Sequence, residues 1–281
     1  MDLHEPAVQR FIESALAEDV GGGDITSQAV IPEDAHFQGV MSAREDMVVA
    51  GLPLALEVFR TLARSANLEQ LVPDGDRIAA GTVLARLSGP ARALLTAERT
   101  ALNIVQHLSG IATLTRAYVK RIEGTAAVLL DTRKTIPGLR MLAKYATRMG
   151  GAQNHRLRLD SAVLIKDNHL AVCSGIKEAV TRVKAAGLSP IEVEVETLDQ
   201  VNEALDSGAD RLLLDNMDIP TLRAAVRMVR GRARTEASGG VHLENIREIA
   251  ETGVNFISVG RITQSAPAVD IGLDWRRKFG E

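Results

Sequence analysis

The chain has 281 residues, 46% apolar and 25% charged, with a formal net charge of −3. That composition supplies a core, excludes a mainly disordered chain, and gives no overall basic field for nucleic acid. The one cysteine, Cys173, excludes an internal disulfide and reads as a small buried apolar residue. The opening residues 1–10 lack a basic stretch followed by an apolar one, and no apolar run approaches the roughly 18 residues that span a bilayer. The expectation is a soluble, cytoplasmic protein.

Residues 6–18 carry apolar side chains at helical spacing and stop before Gly21-Gly22-Gly23. From 37 to 87 come short alternating segments such as 38–42 and 82–87. Glycines and the pair Asp74-Gly75 punctuate them, which predicts hairpin-rich sheet. Residues 57–66 and 94–118 read as helices, the second long and almost free of breakers.

The rhythm then changes. β-rich runs at 127–131, 162–166, 191–196, 211–215, 234–238 and 256–260 alternate with helical stretches at 139–149, 176–185, 198–207, 219–229 and 243–251. Repeated βα units predict parallel strands with helices packed outside. A closed or nearly closed βα barrel fits best. A doubly wound open sheet is the alternative, although no Gly-x-Gly-x-x-Gly follows a strand and no P-loop is present.

The strand ends carry the chemistry, because all of them face one mouth in a βα barrel. The early ends are basic, with Arg133, Lys134 and Lys166, and with His155 and Arg156 in the intervening loop. Arginine forks and lysine ammonium groups suit carboxylate and phosphate, so an anionic ligand is expected. The middle ends are acidic, Glu194 and Asp215, able to face a metal, ribose hydroxyls or a developing cation. Glu192 and Glu196 share strand parity with Glu194, so parity leaves the choice among the three open. The last ends are small, Ser238-Gly239-Gly240 and Gly260, and let backbone N–H groups approach a phosphate; a helix is expected directly from Leu243. On the long helix Arg99, Asn103 and His107 form one polar stripe, either a solvated face or part of a site.

Several stretches together resemble the quinolinate phosphoribosyltransferase (decarboxylating nicotinate-nucleotide pyrophosphorylase) family. They are Leu95-Thr-Ala-Glu-Arg-Thr-Ala-Leu-Asn103, Asp131-Thr-Arg-Lys-Thr135, Asn154-His-Arg156, Leu164-Ile-Lys-Asp-Asn-His169, Glu192-Val-Glu-Val-Glu196, Leu214-Asp-Asn216, Glu236-Ala-Ser-Gly-Gly240 and Ile257-Ser-Val-Gly260. The resemblance implies an α/β protein, with an N-terminal α/β sandwich domain (1–112) and an incomplete, TIM-like α/β barrel (113–281) whose last residues can return to the first domain. It implies phosphoribosyl transfer from phosphoribosyl pyrophosphate (PRPP) to quinolinate, with Mg2+, in a homodimer; higher assembly stays open.

By the same resemblance, Arg133, His155 and Arg156 grip the quinolinate carboxylates with Thr132 beside them, and Arg99 reaches over from the partner subunit. Lys134 and Lys166 lie near the anionic groups, and Glu194 and Asp215 face ribose and metal. Ser238, Gly239, Gly240 and Gly260 hold the 5′-phosphate. Lys134, Lys166, Glu194 and Asp215 are the catalytic candidates. Three positions depart from the family pattern: Arg158, Arg261 and Gln264. A related transferase acting on another acidic ring, or a non-catalytic barrel that senses phosphoribosyl compounds, are the competing readings.

Overall fold

A computed structural model describes residues 2–276; Met1 and residues 277–281, at the outer ends of the two expected domains, lie outside the described residues. The chain divides into two compact units, one of Met1–Leu114, Arg148–Gly151 and Ala266–Glu281, the other of Thr115–Thr147 and Ala152–Ser265. No described helix is long and apolar enough to cross a membrane.

The first unit runs α1 (Pro6–Val20), α2 (Ile25–Val30), β1 (His36–Ala43), β2 (Met47–Val48), α3 (Leu52–Leu62), β3 (Asn67–Gln70), β4 (Arg77–Ile78), β5 (Val83–Pro90) and, as far as Leu114, α4 (Ala91–Arg121). Its main sheet is antiparallel, with β1 and β5 in the middle. The helix expected at 57–66 starts earlier, because Gly51 takes a left-handed turn (φ 84°) and Pro53 fits the first helical turn that follows. The short α2 was not anticipated; the Asp24 side chain makes it by accepting the Ser27 N–H at 2.9 Å.

The second unit alternates: β6 (Val128–Leu130), α5 (Arg140–Gly150), β7 (Val163–Ile165), α6 (Asp167–Leu170), α7 (Ile176–Ala185), β8 (Ile191–Val195), α8 (Leu198–Ser207), β9 (Arg211–Asp215), α9 (Ile219–Val229), β10 (Arg234–Ser238), α10 (Ile246–Ala250), β11 (Phe256–Ser258) and α11 (Arg261–Gln264). A final strand, β12 (Ile271–Trp275), pairs antiparallel with β1 in the first unit's sheet.

The six strands lie in the order β6-β11-β10-β9-β8-β7, every pairing parallel. Strands β6 and β7, neighbours in sequence, are therefore the two edges. Only the β6–β7 ladder is missing from a closed ring, which makes the sheet an incomplete barrel. All five residues of β8 and Leu212, Leu213 and Leu214 of β9 are buried, as expected of parallel strands covered on both faces. Each of the buried Ile, Val and Leu side chains among them contributes about 1.5–3 kcal/mol of apolar burial.

Two expectations need correction. The helix expected from Leu243 begins only at Ile246, because the Asn245 side chain accepts the His242 N–H and donates to the Gly240 carbonyl, holding 240–245 as a turn. Cys173 is half-buried rather than buried, since it follows α6 in a loop whose neighbour Val172 is 91% exposed.

Candidate active site

The carboxyl ends of β6 to β11 line one cavity of about 520 Å³. Strand polarity explains why: parallel strands deliver their last residues to the same rim. Thr132, Arg133 and Lys134 enter after β6, Lys166 after β7, Glu194 from β8, and Asp215 from β9. Ser238, Gly239 and Gly240 follow from β10, and Gly260 from β11, while His155 and Arg156 come from the loop before β7. Every predicted site residue except Arg99 is brought together here. Arg99 lies on α4 in the first unit, where it lines a depression with Asp19, Asp24 and Thr96.

The cations are crowded. Burial and the Arg133 charge beside it both lower the pKa of Arg156. Arg133 Nε is buried with no hydrogen-bond partner in the structure. An unmet buried donor costs about 1–3 kcal/mol, and two adjacent guanidinium groups repel; a bound dianion relieves both. The Lys166 ammonium donates to Glu194, so the acid that reaches the mouth is already ion-paired.

The three glutamates left open by strand parity now separate. Glu194 lines the cavity, Glu196 is exposed, and Glu192 is buried against His155. His155 Nε2 stands 3.2 Å from Glu192 and 3.5 Å from Glu236, and Arg211 Nη1 lies 3.2 Å from Glu236. Arg211 also lies over the Phe256 ring at 4.2 Å. Burial raises the Glu192 pKa, whereas Glu236, although desolvated, is lowered by His155, Ser258 and Arg211. Burial works against charge on His155, but the two carboxylates outweigh it and raise its pKa to about 9.

Nδ1 of that ring accepts the Arg156 N–H at 2.8 Å, so the ring as placed carries its proton on Nε2. Charging it requires the Arg156 amide to leave Nδ1.

Gly239 has φ +86°, and a Cβ there would stand 2.1 Å from Asn216 Oδ1 and 2.9 Å from Asn216 N. Neither the backbone nor the space admits a side chain. Gly239→Ala should destabilise the protein by about 1–3 kcal/mol, read by thermal denaturation, and an unchanged melt would show that the loop has room.

The family models for quinolinate phosphoribosyl transferase match residues 24–109 with the N-terminal domain and 111–274 with the C-terminal domain. The chain belongs to the quinolinate phosphoribosyltransferase family. It is 44% identical over 280 residues to the nicotinate-nucleotide pyrophosphorylase (carboxylating) of Mycobacterium leprae, covering 97% of this chain and 99% of that one. It is 42% identical over 287 residues to the chloroplastic enzyme of the same name from Arabidopsis thaliana, covering 95% of this chain and 82% of the other. The structure of the nicotinate-nucleotide pyrophosphorylase from Francisella tularensis superposes with a TM-score of 0.92 at 42% identity, covering 96% of each chain.

Within a quinolinate phosphoribosyltransferase fold, the three departures separate by position. Arg261 and Gln264 line the cavity beside Gly260, whereas Arg158 pairs with Asp160 on an exposed loop at 3.1 Å. Sequence reasoning did not single out the pairing of His155 with Glu192 and Glu236. It also missed a fully buried ion pair, Lys144 with Asp131. The available signal was a lysine set among Leu142, Ala143 and Ala146 on the apolar face of α5.

Proposed function

We propose that this chain transfers the phosphoribosyl group of PRPP to quinolinate, releasing pyrophosphate and CO2 and giving nicotinate mononucleotide for NAD biosynthesis. The observation that carries the proposal is the convergence of Arg133, Arg156, Lys134 and Lys166 with Glu194 and Asp215 in a single mouth. A dicarboxylate and a pyrophosphate call for the cations; a sugar that passes through positive charge calls for the acids.

In this scheme Arg133, Arg156 and His155, with Thr132 beside them, orient the pyridine ring through its two carboxylates. The ring nitrogen is then held in line with the anomeric carbon, so much of the catalysis is positional. Its lone pair forms the new C–N bond as the C–O bond to pyrophosphate breaks. Lys134 and Lys166 offset charge on the leaving group, while Glu194 and Asp215 face the oxocarbenium-like carbon. Ser238, Gly239, Gly240 and Gly260 cradle the 5′-phosphate. The pyridinium nitrogen then stabilises the electron pair left on the adjacent ring carbon when the 2-carboxylate departs as CO2, and that carbon takes up a proton. No covalent nucleophile is required.

Mg2+ belongs to the same proposal. Glu194 and Asp215 offer hard carboxylate oxygens at the mouth, and few protein ligands completed by water and substrate phosphate suit this ion. Bound there, it would neutralise charge on the pyrophosphate. The proposal also includes a homodimer, with higher assembly left open, in which Arg99 of one subunit serves the mouth of the other. Mixing Arg99→Ala with Lys166→Ala protein should restore partial activity through hybrid dimers; no recovery after verified subunit exchange contradicts the sharing. With one unpaired thiol, the chain is proposed to act in the cytoplasm.

The test is pyrophosphate release from PRPP with quinolinate or nicotinate as acceptor. Turnover with quinolinate and little with nicotinate is expected. A preference for nicotinate, or no turnover with either, overturns the reading.

A further inference from the structure

The free edge of β6 is covered by the segment that carries two of the mouth's cationic side chains. Leu130 and Gln153 form a parallel bridge, with Gln153 N–H donating to Leu129 O at 2.9 Å and Asp131 N–H to Gln153 O at 3.2 Å. The next residues are Asn154, His155 and Arg156, and the last two line the cavity. A single bridge is a weak hold on a substrate-binding segment at the edge of an incomplete barrel.

The rest of the hold is an ion pair. Asp131 ends the β6 run and is fully buried; Lys144, on α5, is 1% exposed and donates to Asp131. Asp131 Oδ1 also accepts the His155 N–H at 2.9 Å, and Lys144 Nζ donates to the His155 carbonyl at 2.9 Å. Both backbone polar groups of His155 are thus held by the two members of one pair. Asp131 Oδ2 accepts from Asn154 Nδ2 and, at 3.0 Å, from Thr147 Oγ1, which fixes the residue before.

We propose that Asp131 and Lys144 are positioning residues that set His155 and Arg156 against the carboxylates of the acidic ring; this rests on reading the mouth as a carboxylate site. Stability alone is a poor reason for the arrangement, because burying two charges costs much of what their attraction returns, and apolar replacements of such pairs are often neutral or stabilising. What an apolar pair cannot reproduce is the directional grip on the N–H and carbonyl of a single loop residue. Neither side chain lines the cavity, so both act through the loop.

Steady-state kinetics of the double variant D131N/K144M, which leaves no lone buried charge, tests this. A purely structural role lowers the folded fraction, and with it the maximal rate, but leaves both KM values alone. Positioning instead raises the quinolinate KM by roughly 10–100-fold, with the KM for PRPP within about twofold of wild type. An unchanged quinolinate KM in a folded double variant overturns the proposal, provided Arg156→Ala still loses quinolinate affinity. If Arg156→Ala also keeps full affinity, the carboxylate-site reading fails, and this proposal with it. Should the double variant not fold, Thr147→Val and Thr147→Ser decide. Serine keeps the wild-type KM and valine raises it if the network positions the loop; equal values for the two overturn the proposal.

Discussion

Replacing Lys166 with methionine is expected to lower kcat by roughly 10²–10³-fold, the usual loss when one preorganised electrostatic stabiliser is removed. Lys166 follows β7 directly, lines the cavity and donates to Glu194. Its side chain is 45% exposed while that of Glu194 is 8% exposed, so of the two cavity-lining partners the ammonium is the more open to solvent. The substitution has two consequences of the same sign. The leaving pyrophosphate loses a compensating charge, and Glu194 loses the cation that holds it. Lys166→Arg keeps the charge but swaps a point charge for a planar fork, so partial recovery is expected. Kinetics with both substrates, alongside a thermal melt to confirm folding, measure this; a kcat within about threefold of wild type would show that Lys166 is not part of the chemistry.

The second large effect is on binding. Arg156→Ala and Arg133→Ala should each weaken quinolinate binding by roughly 30-fold or more, since truncating one member of a desolvated charge pair costs about 2–5 kcal/mol. The two guanidinium groups are close enough for one to depress the other's pKa, and Arg133 Nε lacks a partner in the structure. Removing either leaves a ligand carboxylate poorly met in a partly buried site. PRPP affinity should move far less. Titration calorimetry of each variant with quinolinate reads the effect, and unchanged affinity in both would remove the carboxylate assignment.

Much of this site was legible because strand ends are legible. The runs leading to Arg133, Lys166, Glu194, Asp215, Ser238 and Gly260 each break into polar or small residues, and parallel topology brings such breaks to one rim. What sequence could not resolve was depth. Glu192 and Glu194 point to the same side of β8, yet one is turned against His155 and the other reaches the mouth. Period-two patterning fixes a face, not a height along the barrel. Lys144 was illegible for another reason. A lysine on an amphipathic helix ordinarily extends to water, and only the fold brings it within reach of an aspartate 13 positions away. Boundaries slipped where side chains overrode periodicity, as at Asn245 before α10 and at Gly51 and Pro53 before α3.

The central claim is that one mouth joins an acidic pyridine to a phosphoribosyl group and then removes a carboxylate. Quinolinate labelled at its 2-carboxylate, incubated with PRPP, Mg2+ and the protein, tests it most directly. Labelled CO2, pyrophosphate and nicotinate mononucleotide should form in equal amounts, with no CO2 released when PRPP is omitted. Label retained in the nucleotide product, or CO2 released without PRPP, would contradict the account.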